Sequence, residues 1–158
     1  MKKITYLLLL SLLSACASAM PVAEEELTFS NVYEVKGLSK DQIFDGAMVW
    51  MAENFNSSKD VIQLNDKDAG RIIGNARMDF PCEGLDCIAK SDWDVKYTMK
   101  IETKDEKFRL TFSNILLTWP PSYSSGVVRS ANNGSTPLRG DFDTIKPKLL
   151  AHGDAILA

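Results

Sequence analysis

The feature that most constrains the fold of this chain is the alternation of apolar and polar residues from position 92 to position 113. Neighbouring side chains of a β-strand point to opposite faces, so an alternating run predicts a strand with one apolar and one polar face. A turn at 103–106 divides the run into two strands that can pair as a hairpin. The apolar positions of this hairpin are Trp93, Val95, Tyr97, Met99, Ile101, Phe108, Leu110 and Phe112.

The opposite face of the predicted sheet is polar along its length. An antiparallel sheet can leave such a face in water while its apolar face packs against helices. We therefore expect an α+β fold: an antiparallel sheet with two helices on one face and a solvent-exposed polar face on the other. The residues assigned to the polar face are Asn75, Arg77, Asp79, Asp92, Asp94, Lys96, Thr98, Lys100, Glu102, Arg109, Thr111 and Ser113.

Two helices are indicated by capping residues and by apolar spacing. Ser39 precedes Gln42 by three residues, which is the spacing of a capping box, so a helix is expected at 40–55. Asp141 is expected to cap a final helix that ends near 157. The expected apolar faces comprise Ile43, Phe44, Ala47, Met48, Met51 and Phe55 in the first helix, and Ile145, Leu149 and Ile156 in the last. The remaining strands are expected at 27–35, 61–64 and 71–80.

A stretch of forty residues carries a family resemblance. Its features are the helix opened by "SKD" at 39–41, Trp50, the pair Asn54-Phe55, and the strand entries "SKDVIQ" and "DAGRIIG". With these features, the run from Gly37 to Ala76 resembles a bacterial family of domains of unknown function described as having a TBP-like fold. The resemblance implies the order β-α-β-β-β-β-α and brings no catalytic residue. A TBP-like shape does not imply DNA binding.

The first 15 residues predict an export signal that is not part of the fold. Lys2 and Lys3 precede an apolar stretch, Ile4–Leu13, that is shorter than the roughly 20 residues needed to cross a bilayer. The following "LSAC" resembles the lipoprotein box of bacteria, which implies cleavage before Cys16 and acylation of Cys16. Because Ala17 is not Asp, the resemblance also implies sorting to the outer membrane, on its periplasmic side.

The same region allows a second cut. The run "ASA" at 17–19 is a possible signal-peptidase site, and cleavage after Ala19 would leave a soluble periplasmic or secreted protein. With the lipoprotein cut, residues 16–26 are expected to be the lipidated cysteine and a solvated tether, followed by one domain at 27–158. Fully extended, this tether reaches at most ~35 Å.

Three cysteines bear on the compartment and on possible sites. If Cys16 is lipidated or removed, Cys82 and Cys87 remain as a pair, and an exported protein is expected to join them in a disulfide. Their spacing is not the C-x-x-C of a redox site. A zinc site usually takes four ligands and the chain has one histidine, His152, so no metal or cofactor is expected. His152 itself is expected to be exposed at a helix end, and Trp50 and Trp93 are expected to serve in packing.

The segment 119–139 is the one long stretch without a regular pattern. It is rich in Pro, Gly, Ser and Asn, and loops of this length are either functional or disordered. Trp119, Tyr123, Arg129 and Arg139 are residue types enriched at protein interfaces, so they are candidates for binding another envelope protein. The alternative is a flexible insertion in which Val127-Val128 makes a brief strand contact.

Charge and motifs bound the function. Removal of Lys2 and Lys3 with the signal leaves 16 basic and 21 acidic residues and a net charge of −5, which disfavours nucleic-acid binding. No nucleophile or metalloprotease motif is present. We therefore expect a non-enzymatic binding or structural protein, anchored to the membrane through lipid. An enzyme with an unrecognised site, or a small-ligand binder, is the alternative.

Overall fold

An antiparallel sheet forms the centre of the structure, a computed structural model that describes residues 19–55, 61–124 and 126–156. The export signal (1–15) and Cys16 lie outside these residues. A 3-10 turn at Glu24–Leu27 precedes the first strand. The elements are then β1 (Phe29–Glu34), α1 (Lys40–Asn54), β2 (Ile62–Asp66), β3 (Arg71–Asp79), α2 (Asp86–Lys90), β4 (Asp94–Lys104), β5 (Lys107–Trp119), β6 (Ser122–Ser124), β7 (Val127–Arg129), β8 (Asn132–Ser135) and α3 (Arg139–Ala155).

The strand order of the main sheet is β1-β5-β4-β3-β2, and β8 adds to β5. Each neighbouring pair is antiparallel, so the hairpin predicted from the alternating run forms the middle of the sheet as β4 and β5. β6 and β7 make a separate small hairpin. The predicted α+β class with an antiparallel sheet is confirmed, and three short strands and the helix α2 are added to the predicted order.

The dry face of the sheet carries the core. Tyr97, Met99 and Ile101 of β4 are buried, and so are Phe108 and Phe112 of β5, as the alternation predicts. The two long helices cover this face and meet over it, where Trp50 of α1 lies against His152 of α3 with ring centroids 5.4 Å apart. The described helices include none long and apolar enough to cross a membrane.

The first long helix begins where its capping residues predict. Ser39 Oγ accepts a hydrogen bond from the Gln42 amide (3.3 Å), and Gln42 Oε1 accepts one from the Ser39 amide (2.9 Å). Both bonds satisfy amide groups that have no partner inside the first turn. The buried side chains of α1 are Ile43, Phe44, Ala47, Trp50 and Met51, whereas Met48 and Phe55 of the predicted apolar face are only partly buried.

The last helix begins three residues earlier than expected, and Asp141 is not its cap. Leu138 is the N-cap, and Asp141 lies inside the first turn with its carboxylate 2.6 Å from the ammonium of Lys90. The prediction was wrong because that carboxylate has a distant partner. Pro147 lies inside the helix, where its ring nitrogen cannot donate the usual backbone hydrogen bond. The predicted apolar positions Ile145, Leu149 and Ile156 are buried.

A bulge in β5 reverses the alternation halfway along the strand. Thr98 of β4 is opposite Ser113, but Lys96 is opposite Leu116, so β5 contains one extra residue between these pairs. Asn114, with φ of 52°, lies at this point. The extra residue brings Ile115 and Leu117 back to the core, which a simple two-residue period does not predict.

The prediction of a solvated tether is wrong over residues 20–26, because this segment packs against the domain. We call Met20–Leu27 the N-terminal strap. Val22 is only 4% exposed, and its amide donates to the Pro137 carbonyl (3.1 Å). The Arg139 amide donates to the Met20 carbonyl (2.8 Å), and Pro21 forms a bridge with Leu138. Apolar burial and backbone pairing therefore hold residues 20–27 against the rest of the domain, although residues 24–26 are acidic.

Candidate functional site

The expected disulfide lies at one end of the sheet, together with most of segment 119–139. Cys82 and Cys87 are bonded, with Cα atoms 5.1 Å apart. The closed loop holds the start of α2, whose backbone was not predicted to be helical. Segment 119–139 is not an irregular loop, because it contains β6, β7 and β8. The brief strand contact considered for Val127-Val128 is present, as β7 of the hairpin.

Trp119 is a packing residue in this end of the molecule. Its ring stacks on that of Trp93, with centroids 4.4 Å apart and planes inclined by 22°. Its indole N–H donates to the Ser130 carbonyl (3.1 Å). Both tryptophans are half-buried, which agrees with the packing role expected for Trp93. Trp119 therefore packs against Trp93 and holds the Ser130 backbone, so its ring is engaged within the domain.

Arg129 joins the β6–β7 hairpin to the disulfide-closed loop. Its guanidinium donates to the Ala89 carbonyl (3.3 Å), pairs with Asp92, and lies over the Trp119 ring. Asp92 was assigned to the polar sheet face, but it lies in the turn before β4 and has this structural partner. Among the described side chains, Arg129 Nε and Trp93 Nε1 are the buried donors without an acceptor.

Arg139 also has an internal partner. Its two terminal nitrogens donate to the two carboxylate oxygens of Glu26, at 2.6 and 2.8 Å, in a bidentate pair. The hydrogen bond from Arg139 lowers the pKa of Glu26 below its ordinary value. The pair ties the strap to the start of α3. Of the four predicted recognition residues, Tyr123 alone is mainly exposed, at 73%, and it pairs across the hairpin with Val128.

The polar sheet face contains a row of hydrogen-bonded side chains that the sequence pattern did not reveal. Asn114 Nδ2 donates to Thr98 Oγ1 (3.1 Å), and Thr98 Oγ1 donates to Asn75 Oδ1 (2.8 Å), so the row crosses β5, β4 and β3. It lines an open depression of about 500 Å³ together with Arg77 and Lys96. The side-chain amide of Asn114 lies on this face because of the bulge in β5. The bulge is seen as a shift of register between β4 and β5, and a regular two-residue period does not predict it.

Charges on this face are arranged in pairs. Arg77 lies 3.5 Å from Asp94, and Lys100 lies 3.0 Å from Glu102. These two ion pairs place positive and negative charges side by side on the same face, where Lys96 and Arg109 are also exposed. Within residues 19–55, 61–124 and 126–156, no three His, Cys, Asp or Glu side chains are grouped as a metal site would require.

His152 is not the exposed helix-end residue that was expected. It is packed among Trp50, Tyr97 and Phe112, and its Nε2 lies 3.2 Å from the Tyr97 hydroxyl. Burial lowers the pKa of His152 and raises that of Tyr97 well above its ordinary value. Both groups therefore stay neutral near pH 7, and the pair belongs to the core.

Comparison with known proteins gives a consistent picture of the fold. Residues 29–117 match the family described as "Domain of unknown function (DUF4468) with TBP-like fold". A crystal structure of a TBP-like protein from Parabacteroides distasonis has a TM-score of 0.60 at 18% identity, covering 88% of this chain and 97% of that one. A DUF4468 family protein from Bacteroides ovatus has a TM-score of 0.50 at 21% identity, covering 87% and 85%. No curated protein matches the sequence.

Proposed function

The chain belongs to the DUF4468 family, whose description gives a TBP-like fold and no activity, and from this premise we propose that it is a lipid-anchored protein of the bacterial cell envelope that works by binding. The proposed partner is another envelope protein. Catalysis, a cofactor and nucleic acid have no part in the proposal. The proposal includes the location expected from the lipoprotein box, the periplasmic side of the outer membrane.

The lipoprotein box supports the anchor. The residues at 13–16 fill the box completely, and Met20, whose carbonyl accepts the Arg139 amide, follows Cys16 after three residues. Cleavage after Ala19 would also leave the packed strap intact, since the Met20 carbonyl still accepts the Arg139 amide. The two cuts therefore differ in attachment and not in fold, and an experiment can separate them cleanly.

The polar row on the sheet carries the proposal of a binding role. Asn75, Thr98 and Asn114 present amide and hydroxyl groups at fixed positions in the middle of an open face. The pairs Arg77–Asp94 and Lys100–Glu102 place charges of both signs beside the row. Such a surface suits a protein partner with complementary charges, whereas base stacking takes aromatic side chains and a basic groove.

Of the four predicted recognition residues, three have partners inside the domain and only Tyr123 is mainly exposed. Trp119, Arg129 and Arg139 are engaged with Trp93, Asp92 and Glu26 respectively, so they act as supports. Replacing the whole of 122–137 to test binding would remove β8 and the Pro137 carbonyl that holds the strap. A point probe on the polar face is therefore the appropriate test.

The anchor is tested by mass spectrometry of the mature protein and by fractionation of a Cys16→Ser variant. The proposal expects a lipid-modified Cys16 in the membrane fraction and loss of that fraction in the variant. An unmodified soluble chain beginning at Met20 would establish the alternative cut.

The binding role is tested by photo-crosslinking in intact envelopes. A photoreactive residue replaces Lys96, which is exposed at the rim of the depression, and the matched control replaces Glu53, which is exposed on α1. A discrete crosslinked protein is expected at position 96 and not at position 53. Equal labelling at both positions, or none at either, would refute recognition by the polar face.

A further inference from the structure

The most exposed apolar side chains of the described residues are gathered at one end of the molecule. The five large hydrophobic side chains with the greatest exposure all belong to this end, and each is more than 60% exposed. Several large apolar side chains that are this exposed at one end of a molecule often mark a site of interaction with a protein or a membrane. We call this surface the apolar end; its members are Met20, Leu85, Ile88, Tyr123, Val128 and Leu138.

Contacts among three segments bring these residues together. Arg129 of β7 bonds to the Ala89 carbonyl, so the hairpin with Tyr123 and Val128 lies against α2. A shallow cleft of about 400 Å³ is lined by Ala19, Asp86, Lys90 and Leu138, so the strap and the start of α3 adjoin the same helix. The hairpin, α2, the strap and the start of α3 therefore all lie at the same end of the molecule.

The orientation of α2 directs its apolar residues outward. Lys90 is bonded to Asp141 of α3, and Asp86 shares the same side of the short helix. Leu85 and Ile88 are three residues apart, which places them together on the other side. Their exposed fractions are 83% and 81%. The disulfide closes the loop beneath them, so the pair is displayed on a constrained support.

The chain leaves the domain toward Cys16 at this same end. Ala19 lines the cleft beside α2, and four residue steps separate Cys16 from Met20. At roughly 3.3–3.6 Å per step, the Cα of Met20 is at most ~14 Å from that of Cys16. The polar layer of a bilayer is about 5–8 Å thick on each side, so a lipid on Cys16 brings the apolar end to the membrane interface.

We propose that the apolar end docks on the lipid bilayer, with Leu85, Ile88 and Tyr123 in the interfacial layer beside the anchor. This inference rests on the proposed lipidation of Cys16. Aliphatic side chains flanked by a tyrosine match the chemistry of membrane interfaces. The contact gives the anchored domain a fixed side toward the membrane, instead of free rotation about a tether.

The test uses the full chain, expressed with its signal, purified from membranes and reconstituted in vesicles. The vesicles contain phosphatidylethanolamine and phosphatidylglycerol, with or without brominated acyl chains, which quench tryptophan fluorescence. Leu85→Trp reports on the apolar end, and Val32→Trp is the matched control. Val32 is also exposed, and it lies in a depression at the opposite end of the sheet, with Lys104 and Lys107.

The proposal expects a blue shift and extra quenching by brominated lipid for Leu85→Trp relative to the parent, and neither for Val32→Trp. Mass spectrometry of the same sample reports the state of Cys16. If Cys16 is lipidated and Leu85→Trp is not quenched, docking is refuted while the anchor stands. A blue shift without quenching would mean that the side chain is covered by protein, within the chain or by a second copy of it, and would refute docking too. An unmodified Cys16 would refute both the anchor and the docking that depends on it.

Discussion

The Tyr97 hydroxyl lies 3.2 Å from His152 Nε2, and this contact joins the centre of the sheet to the C-terminal helix inside an aromatic cluster. The cluster also includes Trp50 and Phe112, which cover the imidazole from α1 and β5. A histidine in such surroundings is held neutral, so the free energy of unfolding depends on pH.

We expect the stability of the protein to fall as the pH decreases from 7.5 to 5.5. Burial holds the pKa of folded His152 below the value of about 6.5 expected in the unfolded chain. The unfolded state therefore binds a proton first, and the stability present above pH 6.5 is lost as the pH falls toward the folded pKa. Thermal melting at several pH values should show a flatter profile for His152→Gln. Tyr97→Phe is the control: it removes the hydroxyl, keeps the imidazole and should retain the slope.

Asp141→Ala should lower the free energy of unfolding by roughly 2–3 kcal/mol, since it removes the closer partner of the partly buried Lys90 and leaves the more distant carboxylate of Asp86 (3.6 Å). Burial lowers the pKa of Lys90, but the hydrogen bond to Asp141 and the negative charges of Asp141 and Asp86 together outweigh that effect, and the pKa lies above its ordinary value. Urea unfolding measures the change. Asp143→Ala, on the exposed side of the same helix, should stay within about 0.5 kcal/mol. Equal effects of the two substitutions would remove the structural role assigned to Asp141.

Val22→Ala should lower the free energy of unfolding by roughly 2 kcal/mol, because it removes two buried methyl groups and leaves a small cavity. A solvated tether would show no change at this position. Chemical denaturation of the variant measures the effect, with Glu25→Ala, exposed in the same strap, as the control. A Val22→Ala protein as stable as the parent would mean that the strap contributes nothing to the fold.

Gly153→Ala should destabilise the protein by roughly 1–3 kcal/mol, although alanine is the better helix former by about 1 kcal/mol. A Cβ at position 153 would overlap the ring of Tyr33. That ring cannot move freely, because it stacks on Phe108 and its hydroxyl donates to the Leu150 carbonyl (2.7 Å). A double-mutant cycle with Tyr33→Ala checks the cause, and strictly additive effects of the two substitutions would exclude the overlap.

The sequence predicts the parts of this fold that depend on local patterns. The capping box of Ser39 and Gln42 lies within one turn, and the β4–β5 hairpin follows from a two-residue period across a short turn. Both signals need only neighbouring residues. The disulfide was predictable for a related reason, since only two cysteines remain once Cys16 is set aside.

What could not be predicted depends on partners far along the chain. Asp141 looks like a cap until Lys90, 51 residues away, takes its carboxylate. The acidic run of the strap predicts a solvated segment, because its partner Arg139 is far along the chain. His152 was expected to be exposed because its burial depends on Trp50 of α1, which packs beside α3. At the candidate site, the row through Asn114 depends on a bulge that no single strand reveals.

The contacts that the strap and β1 make with α3 also bear on the order in which the domain folds. Tyr33 bonds to Leu150, and Glu26 to Arg139, across 117 and 113 positions of the chain. The β3–β4–β5 meander can form from close neighbours, but β1 must wait for β5 and the strap must wait for the last helix. The strap and β1 precede the rest of the domain in the chain and are therefore among the last of the described segments to become ordered. A chain that ended before residue 139 would lack the guanidinium that binds Glu26.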